Sequence, residues 1–276
     1  MTELENIEFG KSCVPALIIT VVLMIAIPVV FVLFWRGRHK DRTRIGYLIA
    51  GAAGFMVSAR MLELALHYFC VIADNPVSRF INGNTAAFVI YGTAAAGVFE
   101  ECGRHIVMKY IMKKDRTREN AVYYGIGHGG IEILGVLLPS MISLLAIAVL
   151  FTSGSAENAM NALRITPETV SASLPSVRAA AEFGYAAAAM NVAERLFAMF
   201  VHIGLSVVVF YGVVNAKKVF LPLAVILHMT VDAFPALYQR GALPLWSVEV
   251  WAAVWAAAIT LIAAKLYRKM REPADG

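Results

Sequence analysis

Cysteine and charge are both scarce in this chain. Its 276 residues include 3 cysteines, Cys13, Cys70 and Cys102, and none of them are spaced as Cys-x-x-Cys. This gives no support to a disulfide framework or a thiolate metal site. Charged residues make up 16% of the chain against 59% hydrophobic residues, and the mean hydropathy is +0.69. Such a chain is too apolar for a soluble domain of this length, so we predict an integral membrane protein.

The N-terminus lacks the basic start of a signal peptide. Residues 1–10 carry Glu3, Glu5 and Glu8 and no basic residue. The uncharged run that follows, from Cys13 to Trp35, is long enough to cross a hydrocarbon core of about 30 Å at about 1.5 Å per residue. A cleavable signal peptide would have a basic start and a shorter apolar region. We therefore predict an uncleaved first transmembrane helix.

Apolar runs recur along the whole chain, which predicts an all-α polytopic transmembrane helix bundle in a single membrane domain, residues 1–276. About seven spans are expected, at residues 13–35, 45–73, 84–112, 120–151, 178–214, 220–238 and 246–267. Pro139 should kink the fourth span. The helix that leads from Thr166-Pro167-Glu168 into the fifth span is too long for one straight crossing, so we expect its first part on the outer surface.

Basic residues indicate the orientation in the membrane. They gather in alternate loops, at residues 36–44, 113–119, 217–218 and 265–271. Since positively charged loops stay in the cytoplasm, we predict an outside N-terminus and a cytoplasmic C-terminus, in a bacterial cytoplasmic membrane. Topology also accounts for the net charge of +5, so a nucleic-acid partner is not expected.

Acidic and imidazole side chains interrupt four of the spans at one depth. They are Glu100, Glu101, His128, Glu132, His202, His228 and Asp232. Counted from the basic ends of the spans, these residues lie roughly 12 to 18 Å into the membrane. Ionisable side chains at such a depth are costly and usually face the interior of a bundle, often with a function.

Spacing within each helix adds geometry to this layer. Residues four apart share a helix face, and this relation joins Glu100 to Arg104, His128 to Glu132 and His228 to Asp232. Glycines around His128 would let neighbouring helices approach closely. The sequence therefore predicts a compact polar chamber within residues 84–238. By contrast, we interpret Arg60 and Glu63 of the second span as a structural ion pair.

A chamber of this kind supports hydrolysis by either of two routes. A carboxylate buried beside a second carboxylate holds a proton more readily, which suits it to act as a general base on water. Alternatively, imidazoles and carboxylates from three helices hold a zinc ion with one open position, which activates water and polarises a carbonyl. Either route would cleave a peptide bond inside the membrane.

Four motifs in this order resemble those of a known group of enzymes. They are Glu-Glu-x-x-Arg at residues 100–104, Gly-His-Gly-Gly-Ile-Glu at 127–132, the segment 194–206 and His-x-x-x-Asp at 228–232. Over roughly residues 96–235 the chain resembles the CAAX-protease and bacteriocin-processing (CPBP) superfamily of intramembrane peptidases. Within it, the chain looks most like the YhfC branch, a relative of the PrsW-type proteases.

The resemblance implies roles for these residues. Glu100 and Glu101 would supply the water-activating carboxylate, with Arg104 orienting one of them. The charge-stabilising or metal-binding residues would be His128, His202 and His228, and Glu101 is a further candidate metal ligand. Glu132 joins the catalytic set beside His128. Prenyl-protein peptidases often have Asn where this chain has Asp232, so we assign Asp232 to orienting His228 or to binding metal.

The leading hypothesis is an intramembrane peptidase, metallo- or glutamate-type, that acts on a membrane-embedded or lipidated protein or peptide. One alternative is a catalytically silent scaffold that binds a partner protein through the same chamber. Another is a transporter or haem carrier that uses the histidines. Zinc is the expected cofactor on the metal route, and none is needed on the other. The sequence leaves the substrate and the oligomeric state open.

Overall fold

The computed structural model describes residues 2–270, in which the chain forms helices joined by short loops and no strand occurs. The prediction of an all-α bundle is confirmed. The helices are α1 (Thr2–Glu5), α2 (Cys13–Arg38), α3 (Ile45–Phe55), α4 (Pro76–Gly83), α5 (Thr85–Ile106), α6 (Arg118–Glu132), α7 (Leu138–Ser153), α8 (Ala156–Ala162), α9 (Val170–Ala181), α10 (Tyr185–Val214), α11 (Phe220–Gln239) and α12 (Leu245–Lys269).

Several of these helices continue into wider π-helical turns. After α3 the chain runs through π-helix Met56–Glu63, a short α-helix Leu64–His67 and π-helix Tyr68–Ile72. The π-helix Val107–Ile111 extends α5, and Ile133–Leu137 follows α6 directly. Turns of this type are frequent at functional sites. The last one lies just before Pro139, where the sequence predicts a kink.

Within residues 2–270, six helices are long and apolar enough to cross a membrane. They are Cys13–Arg38, Ile45–Ile72, Arg118–Ser153, Tyr185–Val214, Phe220–Gln239 and Leu245–Lys269. The predicted span at 84–112 forms helix α5 and its π-helical extension, but its buried glutamates make it less apolar than the others. The basic tail at 265–271 is helical up to Lys269, and Arg271 lies outside the described residues.

The expected continuous helix into the fifth span is wrong. Helix α9 begins at Val170 and ends at Ala181, and α10 begins only at Tyr185. Gly184 precedes α10, and glycine has one of the lowest helix propensities. The sequence pattern missed this break because apolar residues continue on both sides of it.

The described residues form two compact units, residues 2–27 with 133–195 and residues 28–132 with 196–270. In the first unit, Leu17 packs with Ala148 and Phe183, and Leu4 packs with Met160 and Val177 in a second small cluster. The second unit contains the larger core, which is built from α6, α10, α12 and their neighbours. The prediction of a single membrane domain stays a prediction.

Close packing of α3 on α6 shapes the second unit. A Cβ atom on Gly51 would lie 2.1 Å from the carbonyl oxygen of Tyr124, and one on Gly127 would lie 2.0 Å from that of Leu48. Only glycine permits such an approach between two backbones. Along α6, residues 119–130 are buried without exception, so the polar residues of this helix face protein.

Glu119 fixes the basic end of the second unit. Its side chain is almost fully buried and accepts hydrogen bonds from Arg118 Nε at 3.2 Å and from the Tyr267 hydroxyl at 3.1 Å. Arg42 Nη1 lies 3.4 Å from the same carboxylate, and Trp35 Nε1 donates to the Glu119 carbonyl oxygen at 3.0 Å. Glu119 therefore joins α2 through its backbone and the following loop, α6 and α12 through its carboxylate.

Candidate active site

Helix α5 supplies the two acids and the arginine of the site. The exposed fractions of Glu100, Glu101 and Arg104 are 7%, 0% and 0%. Since residues three and four apart share a helix face, Arg104 lies over both acids. Its Nε is 3.2 Å from Glu101 Oε2, and its Nη2 is 4.0 Å from Glu100 Oε2.

Helix α6 brings His128 against Glu100. The imidazole is fully buried, and its Nε2 lies 2.9 Å from Glu100 Oε2. Gly125 lets α10 approach at this level, because a Cβ atom there would lie 2.7 Å from the Cα of Ile203. The glycine-rich stretch of α6 thus sets the distance between the two histidine-bearing helices.

Helix α10 contributes His202, which contacts two acids. Its Nε2 lies 2.6 Å from Glu132 Oε2, and its Nδ1 lies 3.9 Å from Glu100 Oε2. Glu132 was expected beside His128, one turn away on the same helix. The structure places its carboxylate on His202 of the neighbouring helix instead, while His128 contacts Glu100.

Helix α11 places His228 between two further acids. Its Nδ1 lies 2.8 Å from Glu101 Oε1, and its Nε2 lies 3.4 Å from Asp232 Oδ2. The second contact is the one expected from the sequence spacing. Helices α5 and α11 approach through Gly97, where a Cβ atom would lie 3.0 Å from the Val225 carbonyl oxygen.

The Arg104 guanidinium lies at the centre of these groups. Its Nη1 donates to the His202 carbonyl oxygen at 2.7 Å and to Ser206 Oγ at 2.8 Å. Its Nη2 lies 3.2 Å from His128 Nε2 and 3.4 Å from His202 Nδ1. A buried charge must be paired and hydrogen-bonded to be tolerated, and this arginine meets both conditions.

Accessibility is greatest at two of the acids. The side chains of Glu132 and Asp232 are 23% and 34% exposed, whereas those of Glu100 and His202 are 10% and 7% exposed. Glu132 and Asp232 are therefore the acids through which the site is most accessible from outside the protein.

Comparison with known proteins places the chain in a family. A family model described as YhfC intramembrane metalloprotease matches residues 23–270 of the chain. The chain belongs to this family. A protein of Bacillus subtilis (strain 168), described as the uncharacterized membrane protein YhfC, is 30% identical over 215 residues, which cover 78% of this chain and 81% of the relative. No solved structure matches the chain.

In this YhfC family member, three buried side chains have the chemistry of a metal site. One ligand atom from each of Glu100, His128 and His202 lies within 4.8 Å of the other two. Two imidazoles and a carboxylate are a donor set found in catalytic zinc sites that keep one position open. The second nitrogen of His202 contacts Glu132, as in the carboxylate–histidine pairs that orient zinc ligands. These residues fit a metal ion.

The expected metal set overlaps with this group in part. His128 and His202 belong to both, but His228 and Glu101 contact each other beside the group, and Glu100 takes the carboxylate position. The His202 and His228 ring centroids are 6.1 Å apart. Metal binding by His228 or Glu101 stays a prediction. All eight predicted site residues nevertheless belong to one connected network.

Sequence reasoning missed the contribution of Glu63. This residue is 8% exposed, contacts His67 Nε2 at 3.4 Å and also interacts electrostatically with Arg60, its expected partner. Its carboxylate also interacts electrostatically with Glu100, His228 and Asp232, so it borders the site. The spacing of four residues between Glu63 and His67 was the available signal.

Proposed function

We propose that this chain is an intramembrane metallopeptidase that hydrolyses a peptide bond of a membrane-embedded or lipidated protein or peptide. The observation that carries the proposal is the buried group of Glu100, His128 and His202. The description of its family supports the same activity. The motifs at residues 100–104 and 228–232 lead us to propose also a relationship to the CPBP and PrsW-type peptidases. We further propose that the protein resides in a bacterial cytoplasmic membrane.

Glu100, His128 and His202 would hold the metal ion. When bound, a divalent ion supplies Lewis-acid activation of water and of the scissile carbonyl. Glu132 orients His202 through the 2.6 Å contact with Nε2, which leaves Nδ1 directed towards Glu100. The geometry favours this route over a purely glutamate-activated water, because both imidazoles face the Glu100 carboxylate.

His228 and its two acids supply the proton chemistry. An imidazole whose two nitrogens each contact an acid can carry a proton on both nitrogens. It can therefore donate the proton of one nitrogen and regain a proton through the other nitrogen. Asp232 is the exposed acid of the pair, and Glu101 is the buried one. We assign proton donation to the departing amine to His228, with Glu101 and Asp232 holding its ring in place.

Arg104 competes with metal binding. Its Nη2 lies within hydrogen-bond distance of His128 Nε2 and His202 Nδ1, the nitrogens that would hold a metal ion. A bound metal ion would replace the contacts of Arg104 with these two nitrogens. Arg104 would retain its contacts with Ser206 and Glu101.

Metal content of the purified chain tests the proposal. We expect about one zinc per chain in the wild type and none in a His128→Ala/His202→Ala variant, with His105→Ala as the matched control from outside the group. Glu132→Gln should weaken binding by roughly 10- to 100-fold, as measured by competition with a chelator, since it removes only the orienting partner. Equal metal content in the double variant and the control would contradict the ligand assignment.

Peptidase activity needs a separate measurement. Membranes from cells that make the wild type or Glu100→Gln can be compared by mass spectrometry of newly formed protein N-termini. Termini that depend on the wild type are expected. The wild type and Glu100→Gln could instead give the same set of N-termini although the wild type binds zinc. The chamber would then hold metal without proteolysis, and the scaffold interpretation would take precedence.

A further inference from the structure

An apolar groove lies in the second unit, apart from the polar site. It has a volume of about 310 Å³ and is bordered by α2, α6, α10 and α12. Representative lining residues are Phe31, Trp35, Ile126, Ile203, Val207 and Tyr267. None of the eight site residues lines it, although α6 and α10 contribute to both features. Its volume is at the lower end of the roughly 300 to 1,000 Å³ of ligand pockets.

One rim of the groove is exposed hydrocarbon. Phe34, which lines the groove, is 54% exposed, and its neighbour Leu33 is 65% exposed. In a membrane-spanning helix such surface contacts acyl chains rather than water. The groove is therefore filled from the bilayer, and an acyl chain matches its apolar lining.

Two arginines lie at the aromatic residues of the same groove. The Arg38 guanidinium is 4.5 Å from the centroid of the Phe34 ring, and the Arg118 guanidinium is 4.7 Å from that of Tyr267. Both rings line the groove. Trp and Tyr are enriched where a membrane meets water, so this is the end at which a lipid headgroup lies.

The charge at this end favours an anion. Arg118 also contacts Glu119, and the two loops at this end, residues 36–44 and 113–119, each carry more basic than acidic residues. Arg38 is exposed and adds a further positive charge. Planar guanidinium groups bind phosphate oxygens through paired hydrogen bonds, which makes a phosphate the expected ligand.

We propose that this groove binds one anionic phospholipid, with an acyl chain along its apolar lining and the phosphate near Arg38 and Arg118. Basic pockets between transmembrane helices recognise anionic headgroups in this way. A zwitterionic phospholipid with the same acyl chains would make the same apolar contacts, but its electrostatic attraction to the two arginines would be weaker. The site is independent of peptidase activity.

Native mass spectrometry of the full chain in detergent tests the proposal. The probes are phosphatidylglycerol and phosphatidylcholine with identical acyl chains. We expect one phosphatidylglycerol to be retained, with a preference of roughly fivefold for each arginine that contacts the phosphate. Arg38→Gln should lower the preference for phosphatidylglycerol by roughly fivefold. Arg36 is an exposed arginine on the same helix, and Arg36→Gln should leave the preference unchanged.

Filling the groove gives a second, independent variant. Ala264 lines the groove and is exposed, so Ala264→Phe would occupy it without disturbing a buried contact. This variant should lose phosphatidylglycerol, while Ala257→Phe, at an exposed position of the same helix outside the lining, should retain it.

Three results would overturn the proposal. The first is equal retention of the two lipids. The second is equal behaviour of Arg38→Gln and Arg36→Gln, or of Ala264→Phe and Ala257→Phe. The third concerns an uncharged transmembrane peptide as competitor. If this peptide displaces the bound lipid and binds equally well to the wild type and to Arg38→Gln, the groove is a site for a protein segment.

Discussion

Arg104 is a fully buried cation whose partners lie on three helices. Glu101 on the same helix is also fully buried, and its Oε2 lies 3.2 Å from Arg104 Nε. His128 and Ser206 accept hydrogen bonds from the other end of the guanidinium. Removing the arginine would therefore leave a buried carboxylate without its strongest counter-charge and several acceptors without a donor.

We expect Arg104→Met to lower the free energy of unfolding by about 3 to 5 kcal/mol, because one partner of a buried ion pair is removed. The matched control is Arg79→Met. Its ion pair with Asp74 is also short, at 2.7 Å, but both side chains are mostly exposed, and we expect a loss below about 1 kcal/mol. Unfolding in mixed micelles measures both. Equal losses in the two variants would mean that Arg104 contributes no more than a surface ion pair.

The sequence predicted that the site residues lie close together in one layer, but it did not predict which side chains contact each other. Depth along each span follows from counting residues, and this placed Glu100, His128, His202 and His228 in one layer. The rotation of each helix about its axis decides which side chains meet. That rotation depends on contacts between helices, which place His202 of α10 against Glu132 of α6.

Packing between α3 and α6 is set by individual glycines. A Cβ atom at Gly51 would lie 2.1 Å from the Tyr124 carbonyl oxygen and 3.0 Å from the backbone nitrogen of His128. Backbone atoms cannot rotate away as a side chain can, so the two helices would have to separate. Since α6 carries His128, such a separation also moves a candidate metal ligand.

We expect Gly51→Ala to destabilise the protein by about 1 to 3 kcal/mol, as overpacking does, and to weaken zinc binding. Gly46→Ala is the control on the same helix, because its Cβ would meet open space. There alanine should be neutral or stabilising by up to about 1 kcal/mol, through its higher helix propensity. Thermal unfolding and chelator competition measure the two effects. A stable Gly51→Ala variant with unchanged zinc affinity would contradict the close packing.

Helix ends were harder to predict than helix existence. Long apolar runs indicated most spans, because burial in lipid requires them. The break between α9 and α10 and the π-helical turns were not predicted, because hydrophobicity does not change there. Turns of this kind depend on local hydrogen bonding, which a composition window does not detect.

At the scale of the whole molecule, the number of crossings depends on α5. Six other helices of the described part of the chain are apolar enough to span a membrane, and α5 is set apart from them by the acids of the site. The loop that contains Arg42 and Arg44 contacts the loop that contains Asp115 and Thr117, on either side of α5 and the helix before it. Thr117 Oγ1 donates to the Arg42 carbonyl oxygen at 3.1 Å, and Arg44 forms an ion pair with Asp115.

Because these loops touch, they lie on the same side of the membrane, and the chain between Arg44 and Asp115 crosses it an even number of times. Helix Ile45–Ile72 is a candidate for one crossing, so we expect α5 to be the return. We therefore expect seven spans, with the termini on opposite sides and the basic loop at 113–119 in the cytoplasm. Six spans would instead place both termini on one side.

Cysteine labelling on either side of α5 checks this count. Gly83 lies in open space and Lys113 is exposed, so either accepts cysteine without strain. In intact cells a membrane-impermeant maleimide should label Gly83→Cys, whereas Lys113→Cys should react only after permeabilisation. The native cysteines, of which Cys13 and Cys70 are buried and Cys102 is half-buried, set the background in the unmodified chain. If both introduced cysteines react from the same side, α5 does not cross, and its acids and arginine cannot lie at the membrane depth that a peptidase chamber requires.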